Sequence, residues 1–524
     1  MKPALILTLA LTLGRIGTNA QAQPKIDVTY CKAQWSMSPD TLYIDGCISA
    51  HFKPMHETIS SIDFDLADKL TVDSVTSHHN KLSFSHSGER LAISLPNSLE
   101  PEQTDSISIF YHGEPASTGY GSFKIDKRHK TLWTLSEPFG SKDWWPSRQN
   151  KYDKIDSMDI FVKCPIEYEV ATNGIMKSDI RDGGSHVVHY RESHPINYYM
   201  VGVAIGAYDM HKSKLLLKND MTMDLVDYSW PETSYPGYNA EYTEELLNLY
   251  GECLIPYPYA DEKYGHAQIG WNGGIEHQTM TFIYGFEPVT IAHELAHQWF
   301  GNYVTCEGWQ NIWINEGFAS YLEYLAIQKC YASDTTEWKK YKLNGALRSR
   351  GPIYVADTND INVIFSQATT YDKGAMALAM LRNEIGTSAF FKGCRAILDK
   401  YGNGFASVDD ARRCFEDAAD TSLVQFFDNW IYGEGYPVYT VTYKSKEDGK
   451  LKISVGQSSS KADGSFFPMH ITLRITGQNA QRDIRLYNTK PQEDFEVPVD
   501  FDVKEVIFDP YIDILCKSTV SKEH

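Results

Sequence analysis

The chain has 524 residues, 42% of them hydrophobic and 22% charged, a composition that excludes an intrinsically disordered protein. Acidic side chains outnumber basic ones by 68 to 49, and the formal charge of −19 argues against nucleic acid or an anionic membrane surface as a partner. At roughly 100–200 residues per domain the length predicts about three domains, and the 33 Tyr and 11 Trp suit β-sandwich layers better than a helical array.

At the start of the chain, Lys2, the apolar run Ala4 to Leu13 and the small-residue pattern Ala20-Gln21-Ala22 form a three-part secretory signal over residues 1–22. Ten apolar residues are too few to span a bilayer, and no later run reaches the roughly 18 that a membrane helix needs. Cleavage would remove Lys2 and Arg15 and leave 47 basic against 68 acidic residues, a charge of −21 on a protein exported to a periplasm or secreted. Nine cysteines without CxxC spacing indicate no cysteine-rich zinc site. Most of the nine read as isolated buried thiols, while Cys31 and Cys47 are close enough in sequence to bridge neighbouring strands, a pairing that sequence does not decide.

From about Lys25 to Met210 the pattern is short alternating strands, such as Ser106 to Tyr111, Asp159 to Lys163 and Tyr199 to Ala207, with turns such as Asp182-Gly183-Gly184. From about Tyr242 the period becomes helical. Leu246, Leu247, Leu249, Tyr250 and Leu254 mark one helix, and Ile291, Leu295 and Trp299 mark another, which Pro288 is placed to begin. Helices dominate to about Tyr432. Strands then return, the first over Val438 to Tyr443, with Asp448-Gly449 as a hairpin turn.

The second of those helices carries His293-Glu294-Leu295-Ala296-His297, an HExxH motif. Two histidines four apart stand one turn apart on one helix face, where neutral imidazoles can ligate one zinc and Glu294 can act on a metal-bound water. Glu316, in Trp313-Ile314-Asn315-Glu316-Gly317-Phe318, is placed to be a third ligand on a second helix. Two His and one Glu leave a fourth position open, as in catalytic zinc sites. Glu323, two turns further on, fits either an acceptor for a ligand histidine N–H or a helical salt-bridge partner.

These residues resemble the aminopeptidase N family of gluzincins, which includes leukotriene hydrolase. The resemblance runs from roughly Leu132 to Gly435. In it, Gly273-Gly274-Ile275-Glu276-His277 corresponds to the family's Gly-x-Met-Glu-Asn, with His277 departing from the Asn. The resemblance implies that Gly273 and Gly274 admit a substrate backbone against an edge strand and that Glu276 receives the substrate's α-ammonium. It likewise implies that Tyr371, in Tyr371-Asp372-Lys373-Gly374, donates to the oxyanion. Glu137, in Ser136-Glu137-Pro138, falls where the family's first domain sends a Gln or Glu toward the amine.

The fold that follows is multidomain α+β. It comprises an N-terminal β-sandwich or saddle domain over 23–211, a thermolysin-like α/β zinc catalytic domain over 212–435 and a short C-terminal β-sandwich over 436–524. Only 88 residues follow Tyr436, so the long helical C-terminal domain of many family members is not expected. The function implied is a zinc-dependent aminopeptidase with one Zn2+ per chain, acting on peptides with a free N-terminus through a metal-activated water and a Glu general base. A zinc endopeptidase shares His293, His297 and Glu316 but has no use for Glu276. An epoxide hydrolase rests on analogy with leukotriene hydrolase alone, and intact ligands, base and tyrosine argue against a non-enzymatic binding module.

Overall fold

In the strand Thr41–Pro54, Ile44, Gly46, Ile48, Ala50 and Phe52 are buried while the residues between them are more exposed, the period of a sheet with one face on a core. A computed structural model describes this chain over residues 25–149, 153–218, 220–330, 335–445, 449–462 and 464–523. The leader expected over 1–22 lies outside the described residues.

The N-terminal region is all β. Thr41–Pro54 pairs antiparallel with Ile26–Ser38, which in turn runs parallel to Met158–Pro165, and these lie in the middle of an eight-stranded sheet. A three-stranded and a four-stranded sheet accompany it. The strands read at Ser106 to Tyr111 and Asp159 to Lys163 lie within Asp105–Gly113 and Met158–Pro165, and Asp182-Gly183-Gly184 joins Ile175–Asp182 to Ser185–Glu192. Tyr199 to Ala207 is not one strand. A single helical turn, Tyr198–Met200, precedes a short strand, Val203–Gly206. Every residue of the run but Ala207 is buried, so its sequence has no alternation to separate turn from strand. Gly202 breaks it where the His277 ring packs against the backbone.

A Cys31–Cys47 bridge, which the short sequence separation left open, does not form. Their strands are neighbours, but Cys31 pairs with Ala50 and Cys47 with Gln34, an offset of three residues that points the two thiols to opposite faces. Cys31, Cys47, Cys164, Cys253, Cys394, Cys414 and Cys516 are free thiols.

A mixed six-stranded sheet follows, beginning with Asp209–Leu216, a strand that crosses the 211/212 boundary drawn from the sequence. Its order places Gly274–Ile275 at the edge, antiparallel to Thr281–Ile283. Helices α1 (Asn239–Cys253), α2 (Pro288–Ala296), α3 (Trp313–Cys330) and α4 (Thr336–Ala346) follow or interrupt this sheet. Trp133 of the four-stranded sheet and Leu135 just beyond its strand join Ala267, Ile275 and Phe282 of the mixed sheet, with Ile269, in one apolar cluster. That cluster holds the N-terminal region against the edge strand. After Trp430 come a four-stranded and a three-stranded sheet, whose facing sides meet where Tyr439 lies 4.7 Å from Phe508 between ring centroids. Val438 to Tyr443 lies within Pro437–Ser445, which pairs antiparallel with Lys450–Ser459. Among the described residues no helix is long and apolar enough to cross a membrane.

Candidate active site

Pro288 opens α2 with its fixed φ, and Ile291, Ala292, Leu295 and Ala296 bury one face of the helix. The helix ends at Ala296, one residue short of His297. His297 keeps helical dihedrals (φ −59°, ψ −24°), so the one-turn relation to His293 survives. Glu316 comes from α3. The three Nε2 and Oε2 atoms of His293, His297 and Glu316 lie 3.1, 3.4 and 3.3 Å apart. A tetrahedral zinc with bonds of about 2.0–2.1 Å has ligand edges of about 3.3–3.4 Å. The donor set therefore fits such an ion without rearrangement. The other ring nitrogens are committed elsewhere: His293 Nδ1 lies 2.8 Å from Glu323 Oε1, and His297 Nδ1 lies 3.1 Å from the Phe300 carbonyl. Both contacts make Nδ1 the donor and leave Nε2 free to ligate.

Glu323, open between two readings in the sequence, takes both roles, since its Oε2 also accepts from Trp338 Nε1 (3.0 Å) and pairs with Lys342 Nζ (3.2 Å). Tyr371 sits in a π-helical turn, Gln367–Lys373, ahead of the helix Gly374–Ile385. Its distance from Glu316 is set by two glycines. A methyl on Gly374 would lie 3.1 Å from the Gly317 Cα, so the two helices touch backbone to backbone at the residues following Glu316 and Lys373. The Tyr371 ring consequently stacks 6.1 Å from the His293 ring.

The edge strand is tied to the zinc-motif helix by its neighbours in sequence. Gln298 accepts from Thr279 N (2.9 Å), and Asn302 Nδ2 donates to the Glu276 carbonyl (2.8 Å). Gly274 packs so tightly that a methyl there would lie 2.3 Å from Glu294 Oε1. Gly274→Ala is expected to displace the Glu294 carboxylate and lower kcat about 10²-fold, the scale of a 1 Å misplacement. Metal analysis alongside kinetics checks this, since the zinc ligands are untouched and metal content should stay that of the wild type.

Glu137, Glu276 and Glu316 each bring a carboxylate oxygen within 4.8 Å of the others. Glu276 is buried, and its Oε1 has no hydrogen-bond partner among the described residues. His277 does not reach this cluster. Its ring packs on Gly202 and on Phe282, 4.5 Å away, and burial holds it neutral with a pKa of about 3. The departure from the family Asn therefore lies behind the substrate-facing surface.

With so many acids together, the cleft's electrostatics favour cations. Burial, reinforced by Glu276 and Glu316, raises Glu294 to about 7 against the opposing pull of His293 and His297. Burial also raises Glu276. Glu316 is held down at about 2, because the two imidazoles outweigh the effect of its burial. Burial, then the surrounding carboxylates, pushes Tyr371 well above its usual value, so its hydroxyl keeps its proton and can donate.

The sequence-derived residues thus converge on one cleft of about 450 Å³, which His293, Glu294, His297, Glu316, Glu276, Glu137, Gly273, Gly274 and Tyr371 all line. Residues 287–430 match the Peptidase family M1 domain. This stretch of the chain is similar to an M1 domain. That is the family of gluzincins which the motifs resemble.

Aminopeptidase M1-A of Oryza sativa subsp. japonica is 28% identical over 367 residues, covering 64% of this chain and 40% of that protein. Glutamyl aminopeptidase of Bos taurus is 34% identical over 330 residues, covering 57% and 34%. The matches thus span well under two thirds of these relatives' own length. The solved M1 zinc metallopeptidase from Deinococcus radiodurans has the same fold, with a TM-score of 0.71 at 21% identity, covering 78% of this chain and 94% of that one.

Sequence reasoning missed part of the cleft. Tyr120, Trp271 and Phe365 form an aromatic wall, with ring centroids 5.5 and 5.9 Å from Tyr120, and come from three distant segments that no spacing rule connects. Lys342 was also missed. Its signal was present: it follows Trp338 by four residues, on the buried face of α4.

Proposed function

We propose that the chain is a zinc-dependent aminopeptidase. The carrying observation is the carboxylate cluster of Glu137, Glu276 and Glu316 beside the His293–His297 pair, with Glu276 Oε1 buried and unpartnered among the described residues. Buried carboxylates are costly without a cation, and the α-ammonium of a peptide supplies one at a fixed distance from its first carbonyl. An endopeptidase has no group to place there. The Deinococcus radiodurans relative is described with a Tyr-Ser-Ala substrate bound, which supports a peptide in the equivalent cleft.

Zinc held by His293, His297 and Glu316 would supply Lewis acidity, polarising the scissile carbonyl and acidifying water. Glu276, with Glu137, holds the ammonium. The Gly273-Gly274 edge lets the substrate backbone approach as an added strand. Glu294 accepts a proton from the attacking water and delivers it to the leaving amine. Tyr371 donates its hydroxyl to the charge developing on the carbonyl oxygen.

The test compares an aminoacyl amide bearing a free amine with its N-acetylated form. The free amine is expected to be cleaved in strong preference, with activity lost to a chelator and restored by zinc. Preferential cleavage of the blocked form would remove the aminopeptidase reading. We propose further that the protein is exported, from the pattern over Met1 to Ala22. N-terminal sequencing of protein from a bacterial host's periplasm or medium should then begin at Gln23.

A further inference from the structure

On α4, Lys342 is buried, with only 4% of its side chain exposed, yet its ammonium lies between two buried carboxylates. Nζ is 3.2 Å from Glu323 Oε2 and 3.7 Å from Asp372 Oδ1. Each carboxylate adjoins a different part of the reaction centre. Glu323 holds the Nδ1 side of His293 at 2.8 Å. Asp372 is the residue after Tyr371, inside the same π-helical turn, where Gln367 Nε2 donates to its Oδ1 at 3.1 Å.

Asp372 reaches Lys342 because α4 has no side chain at Gly345, where a methyl would lie 1.8 Å from Asp372 Oδ2. Lys342 also passes 5.6 Å from the Trp338 ring centroid, and Trp338 Nε1 donates to the same Glu323 oxygen. The ammonium is thus held from several sides. Two carboxylates this deeply buried would each be expensive without a shared cation.

We infer that Lys342 is a positioning residue, whose ammonium couples the orientation of the zinc ligand His293, through Glu323, to the placement of Tyr371, through Asp372. It touches neither substrate nor metal and acts through both carboxylates. This rests on the aminopeptidase reading for its kinetic arm only, because the metal arm is read without turnover.

Three folded variants, Lys342→Met, Lys342→Arg and Asp372→Asn, are compared with the wild type. Zinc affinity is measured by competition with a chromophoric chelator, and kcat and KM with a free-amine aminoacyl substrate. Lys342→Met, which keeps the stem and removes the charge, is expected to weaken zinc binding and to lower kcat, each about 10–100-fold, the range of outer-shell changes at metal sites. KM should stay within about twofold. Lys342→Arg should recover most of both losses.

Asp372→Asn separates the two arms. It is expected to lower kcat about tenfold with zinc affinity unchanged, because the Glu323–His293 contact is left intact. This variant also carries the test if Lys342→Met does not fold. Wild-type kcat in folded Asp372→Asn, or wild-type zinc affinity in folded Lys342→Met, overturns the coupling. If the wild type cleaves no free-amine substrate, the proposed function fails while the zinc-affinity comparison still decides this inference.

Discussion

Glu294→Gln is expected to bind zinc as the wild type does and to lose about 10²–10⁴-fold in kcat, the range that a positioned general base contributes. The amide is nearly isosteric, so the tight seat against Gly274 stays filled and the His293, His297 and Glu316 atoms keep their mutual distances. What disappears is the only group on α2 beside the ligands that can accept water's proton. Metal analysis with single-turnover kinetics checks this, and wild-type turnover with full zinc would remove Glu294 from the role. The same carboxylate predicts a pH profile. Glu294 accepts a proton only when ionised, and burial raises it to about 7 in the metal-free site. A bound cation stabilises the ionised form and lowers that value. The acid limb of kcat/KM should therefore fall below pH 7, with activity lost as the pH drops through it.

Tyr371→Phe is expected to lower kcat about 10²–10³-fold, from the roughly 2.7–4 kcal/mol that one oxyanion donor supplies. The burial and surrounding carboxylates that keep the hydroxyl protonated make it a donor across the neutral range. Phe retains the stacking on the His293 ring, so zinc content should not change. KM should also change little, because the hydrogen bond strengthens where charge develops. A loss confined to KM would instead make Tyr371 a substrate-binding residue.

Much of the site was legible because its key relations are local. His293 and His297 are related by one helical turn, and the geometry of α2 alone brings them to one face. Glu316 was legible from its spacing after the HExxH motif and Tyr371 from the resemblance of the segment around it, and the structure shows why both segments carry glycines. Gly317 and Gly374 are the contact at which the two helices meet, so the residues before them come together. Glu137 was legible only by resemblance, since nothing in Ser136-Glu137-Pro138 announces a partner in a distant sheet.

Local pattern was less informative where burial is complete or a contact spans segments. The run Tyr199 to Ala207 reads as one strand because every residue is apolar or small, and near-complete burial erases the alternation that marks a boundary. The Cys31–Cys47 bridge looks feasible from a short separation, but register, not separation, decides which face a strand residue takes.

By itself, then, the sequence determined the order β, mixed α/β, β and the metal-ligand helix, which follow from periodicity and spacing within single elements, while the edge-strand glycines were legible by resemblance. Only the tertiary structure decided that Glu137 joins Glu276 and Glu316, that His277 faces away from the cleft, and that Lys342 lies between Glu323 and Asp372. The physical reason is the same in each case. A helix or strand dictates where its own side chains point, whereas contacts between elements depend on how closely their backbones pack, and here that is set at Gly274, Gly317, Gly345 and Gly374.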